Sequence, residues 1–547
     1  MSCWNYAEAI YQLAQSDWGS RPALIHADEE ISYRELTRRA LGIARYLDEL
    51  KLPAGSHVGH YMRNSNAYTE TLVGAAFAGH SHVNVNFRYT GQELADLCND
   101  LDIRVLVYDS EFAHVVASVK SQLIKTMAFI EVDGAAVSAS DSGAVQGFSV
   151  ALSSLQQAGD SGFQRKTSSD DLILIATGGT TGLPKGTQWR HEDMWRKSQT
   201  AHGNALNLVL GVKTHPATME GHVANVNRLP GGAPFLSLSP LMHGAGMITG
   251  LVNLAQGNAL VTLPGNRFDP DYTLDTIRRH QVRGLVLVGD AFAMPLLNAL
   301  NRRSDEQLLD SLRTMLSSGA SLSGASKAGL RRHQPDLIIT DTLGSSEAIR
   351  YGVSTPEAGV FKPQPTTRVL DDNLQEVVPG SDTIGMIYSG GPCPVGYYKE
   401  PEKSAETFVT VDGQRMVKTG DRCTVRADGM IVLLGRDSTV INSGGEKVYT
   451  VEVENVLVAH PAISDALVVG LPHPRFGKQV VAVVQGEALS QDNIDVADIQ
   501  AHCLKQLADY KVPKQVFVID DLRRAANGKP DYPFVTQYAR TQQPLCD

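Results

Sequence analysis

The chain has 547 residues, with 49 Lys+Arg against 59 Asp+Glu, and this net charge of −10 excludes the concentrated basic surface that nucleic acid requires of a main partner. Its 42% hydrophobic and 20% charged residues exclude a disordered chain, and at roughly 150 residues per domain the length gives two to four domains with a large core. Six scattered cysteines without a CxxC pair give neither a zinc site nor a disulfide framework.

In chain order, the start MSCWNYAEAI has no basic n-region or apolar h-region, so the expectation is a cytoplasmic protein without a signal peptide. Glu35–Leu50 places Leu36, Ala40, Ile43, Ala44 and Leu47 on one face at helical spacing. Short apolar runs at Val105–Tyr108, Leu172–Ala176, Leu285–Val288 and Leu337–Thr340 alternate with helix-like stretches, which predicts buried, largely parallel strands with crossover helices. The Ala/Ser/Gly-rich stretch 134–162 reads as a surface connection or hairpin excursion without chemistry. Gly246–Leu263 is apolar but broken by Asn253, Gln256 and Asn258, so it reads as core and no transmembrane segment is expected. Near the end come a helix at Glu452–Ala459, strands at Ala466–Val469 and Val480–Val484, a helix burying Val496, Ile499, Cys503, Leu504 and Leu507, and a strand at Gln515–Ile519. These predict a small α+β domain, with its boundary in the breaker-rich stretch Gly435–Ser443.

The strand-like Leu172–Ala176 runs into Thr177, Gly178, Gly179, Thr180, Thr181, Gly182, Leu183, Pro184, Lys185 and Gly186. Four glycines, three threonine hydroxyls and a lysine can ring a phosphate, while the order PKG without a following Ser/Thr does not fit a P-loop NTPase. This segment resembles the phosphate-loop signature of the adenylate-forming superfamily of acyl-CoA synthetases, luciferases and adenylation domains, with Gly178 where that family usually has Ser. The continuation Thr187–Trp195 and Val288–Leu297 resemble the branch acting on fatty and steroid side-chain acids.

The resemblance implies an α/β fold: a large N-terminal domain of stacked sheets and helices (αβαβα-type layers) over 1–436, and a small mobile C-terminal α+β domain over 437–547 with a hinge at Asp437–Ser438. It also implies ATP, Mg²⁺ and CoA as cofactor and co-substrates, and a carboxylic acid, fatty or bulky and apolar, as substrate. Residue by residue it implies an acyl-pocket role for His243 in PLMHG. Ser318 and Gly319 would line the adenine and acyl sites, within an acyl pocket drawn from Met242–Met247 and Ser318–Ser323, where Gly244, Ala245 and Gly246 would leave volume. In DTLGSSE, Gly344, Ser345 and Ser346 would meet the nucleotide and Glu347 would hold Mg²⁺. Leu343 stands where an aromatic is usual. Asp421 would accept the ribose hydroxyls with Arg436 in support, Gly444 and Gly445 would build the pantetheine channel, and Lys529 would be the adenylation lysine. Gly396–Tyr398 with Pro401–Ser404 matches a further stretch of the family. An enzyme that hands its acyl group to a carrier protein and a non-catalytic relative remain as alternatives, and a homodimer is left open.

Overall fold

The computed structural model describes residues 3–133, 147–159, 162–177, 184–199, 216–303, 307–320, 322–357, 359–436, 439–443, 446–473, 477–486, 489–491, 494–524 and 529–542. Among them a 14-stranded and an 8-stranded sheet form the bulk of the protein, and a 5-stranded sheet forms a separate small unit.

The helix Tyr33–Glu49 shows how sequence sets a layer. The Ser32 hydroxyl caps its start by accepting the Glu35 N–H at 3.2 Å. The stripe Leu36, Ala40, Ile43, Ala44 and Leu47 is buried, as the spacing requires. Helix Asn66–Phe77 is buried at every position, because it lies inside the stack rather than on it. These two helices, with Tyr6–Gln15 and Gly244–Ala255, fill the space between the large sheets. Their core takes Leu24, Leu260 and Val286 from one sheet and Val58, Val105, Val107 and Ile173 from the other.

Alternation along the strands builds the outer layers. In Ile103–Asp109, Val105 and Val107 point to the inner helices, whereas Leu106 and Tyr108 point outward to Leu94, Leu97 and Val116. On the far face of the other sheet, helices Pro270–Arg279, Asp290–Arg302 and Gly324–His333 cover Leu285, Leu287 and Met315. The result is the expected helix–sheet–helix–sheet–helix order. All four apolar runs are strands: Ile103–Asp109 and Leu172–Thr177 in the 8-stranded sheet, Gly284–Leu287 and Ile338–Leu343 in the 14-stranded one.

Two local expectations are corrected. Within 134–162, residues 134–146 and 160–161 lie outside the described set, but Leu152–Ala158 is a helix that buries Leu152 and Leu155 against Tyr33–Glu49. The Gln156 carbonyl accepts from Arg38 Nη1 at 2.9 Å. Leu504, expected in the core, is 53% exposed. It is the last residue of helix Val496–Leu504, one position and so about 100° round from buried Cys503, which turns it away from the sheet.

The strand Ile431–Arg436 belongs to the 14-stranded sheet, while Ile441–Ser443 already belongs to the small one. The residues 437–438 between them are outside the described set. In the small unit, helices Thr450–Val458 and Val496–Leu504 cover one face of the sheet through Val468, Val480, Ala482 and Val484. Helix Tyr532–Gln542 covers the other through Leu467, Leu471 and Val481. No described helix is long and apolar enough to cross a membrane.

Candidate active site

The glycine-rich loop spans two antiparallel strands, Leu172–Thr177 and Lys185–Arg190, whose ends meet with Thr177 opposite Lys185. Gly178, Gly179, Thr180, Thr181 and Gly182 lie outside the described residues, as do Gly444 and Gly445. The ends of the loop are nonetheless fixed. The two-residue strand Gly396–Tyr397 pairs with Gln188 and Thr187, which brings the Tyr397 ring to 5.1 Å from the Lys185 ammonium. A cation over an aromatic face is held there by the ring's quadrupole.

Tyr397 also ties this strand to the acidic motif. Its hydroxyl donates to Glu347 Oε1 at 2.8 Å. Trp189 Nε1 donates to the carbonyl of Ser346 at 2.8 Å, anchoring the main chain just before that carboxylate. Gly344 is needed for close approach, because a Cβ there would stand 2.9 Å from the Arg350 nitrogen. Ser345 closes the turn with its carbonyl and hydroxyl, which both accept from the Ala348 N–H, at 3.3 and 3.2 Å. Strand Thr314–Ser318, which leads into Gly319, runs parallel to this segment with Ser318 opposite Thr342.

Asp421 and Arg436 are cross-strand partners in the antiparallel pair Gln414–Val425 and Ile431–Arg436. Arg436 Nε donates to Asp421 Oδ1 at 3.1 Å, and the buried Tyr351 hydroxyl donates to Oδ2. The negative charge of Asp421, reinforced by that of Glu347, raises the Arg436 pKa. The side chain of Asp421 is only 6% exposed, yet two of its roughly four acceptor sites stay unused by these two donors.

His243 is the N-cap residue of helix Gly244–Ala255. Burial, reinforced by the charges of Lys529 and Arg88, lowers its imidazole to about 4, so it is neutral near pH 7. Lys529 reaches the same place from the small unit. It keeps contact with solvent, but it is hemmed in by protein atoms, so desolvation and Arg436 lower its pKa while Glu347 raises it. His243, Glu347, Arg436 and Lys529, which are dispersed over the sequence, therefore share one electrostatic environment.

The expected spare volume at Gly244–Gly246 is corrected at Gly246. A Cβ there would lie 2.5 Å from the Pro240 carbonyl oxygen, so the missing side chain allows the helix to seat on the turn and does not open a pocket. Met242 and Met247 are buried as well. Tyr351, Tyr397 and Trp189 hold the site's carboxylates and backbone, and the sequence reading gave none of them a role. Trp189 and Tyr397 lie inside stretches that resemble the family, whereas Tyr351 carried no signal.

The chain is similar to known proteins. The family model described as AMP-binding enzyme matches residues 12–398, and that of the AMP-binding enzyme C-terminal domain matches 452–529. The medium/long-chain-fatty-acid–CoA/3-oxocholest-4-en-26-oate–CoA ligase of Mycobacterium marinum is 37% identical over 521 residues, covering 94% of this chain and 92% of that protein. The 3-oxocholest-4-en-26-oate–CoA ligase of Rhodococcus rhodochrous is 35% identical over 525 residues, with the same 94% and 92% coverage. Among solved structures, the anthranilate CoA ligase AuaEII in complex with anthranoyl-AMP matches in fold with a TM-score of 0.81 at 22% identity, covering 98% of both chains.

Proposed function

Since the chain belongs to the AMP-binding enzyme family and is an AMP-forming acid–thiol ligase, we propose that its acid is a medium- to long-chain fatty acid or a steroid side-chain acid, and that the residues above carry the reaction. The observation that carries the residue assignment is the convergence of Lys529 from the small unit with Glu347, Arg436 and His243 from the large one.

A free carboxylate is a poor acyl donor, because an oxide is a poor leaving group. In the first half-reaction a carboxylate oxygen attacks the α-phosphorus of ATP, and the bond to the β-phosphate bridge breaks to release pyrophosphate. Both reactants are anions, so the protein's work is charge compensation and in-line placement. In our reading Lys529 sits against the attacking carboxylate and the α-phosphate, and the loop ending at Lys185 cradles the outer phosphates. Asp421 accepts the ribose hydroxyls with its free lone pairs. Neutral His243 lines the acyl end without adding charge.

The Glu347 carboxylate fits magnesium, since it is a hard oxygen donor with only Oε1 engaged among the described residues, by Tyr397. Held by Glu347, the ion would supply positive charge against the phosphates. In the second half-reaction the CoA thiol, of pKa about 8.5, attacks the acyl carbonyl as thiolate and AMP leaves. We assign the domain division to 1–436 and 437–547, with the hinge at Asp437–Ser438 and the thiol channel at Gly444 and Gly445. The change of sheet between Arg436 and Ile441 supports this division.

The test is acid-dependent pyrophosphate release over a series from short-chain to steroidal acids, with CoA added or withheld. We expect release with medium- to long-chain or steroidal acids and a thioester only when CoA is present. Release confined to short or aromatic acids removes the substrate assignment.

A further inference from the structure

Strand Ser81–Val85 lies beside Leu172–Thr177 in the 8-stranded sheet, but their main-chain register covers only His82–Ile173 and Val83–Leu174. Past that point a side chain takes over. The Asn84 Oδ1 accepts the Ala176 N–H at 2.7 Å, and its Nδ2 donates back to the Ala176 carbonyl at 2.9 Å. A side-chain amide carries the same donor–acceptor pair as a peptide unit, so Asn84 continues the ladder for one more residue. The second hydrogen of Nδ2 goes elsewhere, to the carbonyl of Met242 at 2.6 Å. The Ala176 N–H can be satisfied here only by an oxygen, which fixes the amide's orientation from the bonds themselves.

Asn84 is 5% exposed. Ala176 stands one residue before Thr177, where the phosphate loop begins, and Met242 stands one residue before His243, the N-cap of the acyl-side helix. One buried amide thus joins the stem of the nucleotide loop to the turn that presents the acyl pocket. We infer that Asn84 is a positioning residue that holds these two halves of the site in a single register, so that the carboxylate and the α-phosphate meet in line. The inference rests on the adenylation reading above.

The reason lies in geometry. Loss of the amide removes the hydrogen-bond partner of the Ala176 N–H, the Ala176 carbonyl and the buried Met242 carbonyl, and each segment then relaxes independently. A misplacement of about 1 Å costs on the order of 100-fold in such a reaction. Acid-dependent pyrophosphate exchange and thermal melting of the full chain are measured for wild type, Asn84→Ala and Asn84→Asp. We expect Asn84→Ala to remain folded with kcat for exchange down by about 100-fold.

Asn84→Asp adds a readout that a purely structural role would not move. As a carboxylate it keeps the acceptor for Ala176 but has no donor, whereas protonated it regains one O–H. Burial raises a carboxyl's pKa, and the protonated form prevails below it. The ratio of Asn84→Asp to wild-type kcat should therefore rise at least tenfold as the pH falls from about 8 to about 6. If Asn84→Ala does not fold, this ratio decides alone. An active wild type with a flat ratio, or an Asn84→Ala enzyme with unchanged kcat, overturns the inference. A wild type without acid-dependent exchange overturns the adenylation reading and the inference together.

Discussion

Tyr351→Phe removes one oxygen from a buried ring and leaves its packing unchanged. Tyr351 is 1% exposed, and its hydroxyl donates to Asp421 Oδ2, while Arg436 Nε holds Oδ1 at 3.1 Å. A hydrogen bond to a charged acceptor contributes about 1.5–3 kcal/mol. At 1.4 kcal/mol per factor of ten, that bounds the effect at roughly 10- to 150-fold. The bond is also present in the free enzyme, so much of its loss appears as lowered stability. What nucleotide binding loses is orientation: the carboxylate, released on one side, no longer presents its free lone pairs to the ribose in a fixed plane. The ATP KM in pyrophosphate exchange should rise about tenfold, the low end of that range, while the KM for acid and for CoA stay within about twofold. Asp421→Ala should cost more, and the double variant no more than Asp421→Ala alone, since both changes act through one group. An unchanged ATP KM with only a lower melting temperature would falsify the ribose role and leave the Tyr351–Asp421 bond as a tie between strands.

Glu347→Gln keeps the partner of the Tyr397 hydroxyl but removes the charge; adenylation should fall by about 100-fold and recover in part as magnesium is raised, and a rate independent of magnesium would remove the metal role. Lys529→Ala should lower pyrophosphate exchange by about 1,000-fold while thioester formation from pre-made acyl-adenylate and CoA stays within several-fold; equal damage to both steps refutes separate arrangements for the two half-reactions. Lys529 is charged only below its folded pKa, which burial and Arg436 hold under the ordinary 10.5, so adenylation should be lost as the pH rises through that lowered value; Lys529→Arg should remove this alkaline limb, and a limb common to both enzymes belongs to another group. Glu454, raised by burial to about 7 from 4.5, contributes stability that is fully present below 4.5 and is lost as the pH rises through about 7. Glu454→Gln should flatten this part of the melting curve against pH, and an identical pH dependence in both proteins would exclude Glu454 as its source.

The legible parts of the fold were those where one physical pattern dominates. Leu36 to Leu47 at helical spacing and the apolar runs at 105, 172, 285 and 337 gave the right element types, with ends shifted by a few residues. Two central strands were illegible. His57–Tyr61 and Ser81–Val85 are buried along their whole length, yet they carry His57, His60, His82 and Asn84 and so lack an apolar run. Those groups are buried because they bond to neighbours: His82 Nδ1 lies 2.9 Å from His60 Nδ1, and Asn84 continues the ladder. Hydropathy cannot read polar groups whose partners come from other strands. The same limit applies at the site. Motif order singled out Glu347, Asp421 and Arg436 as candidates, because those residues lie in recognisable stretches. Tyr351 was missed, because its bond to Asp421 spans 70 residues and exists only once the strands are in place.

The origin of each charge suggests a division of labour. Glu347, Asp421 and Arg436 are fixed within the large unit by Tyr397, Tyr351 and one another. Lys529 belongs to the small unit. Three residues on, the Tyr532 hydroxyl donates to Glu454 at 3.0 Å, and its helix packs Val535 and Ala539 against the small sheet. Two charge effects from the large unit act on Lys529: Glu347 attracts it, while Arg436, already paired with Asp421, repels it. Without nucleotide these effects oppose each other. On the proposed assignment, a bound triphosphate would add several negative charges at this point, so it would favour the arrangement with Lys529 in place, and by linkage that arrangement would favour the nucleotide to the same degree. Departure of pyrophosphate removes most of that charge and restores the repulsion from Arg436. On this argument, the event that ends the proposed first half-reaction would also weaken the hold on the small unit, so no separate signal would be needed for the lysine to leave.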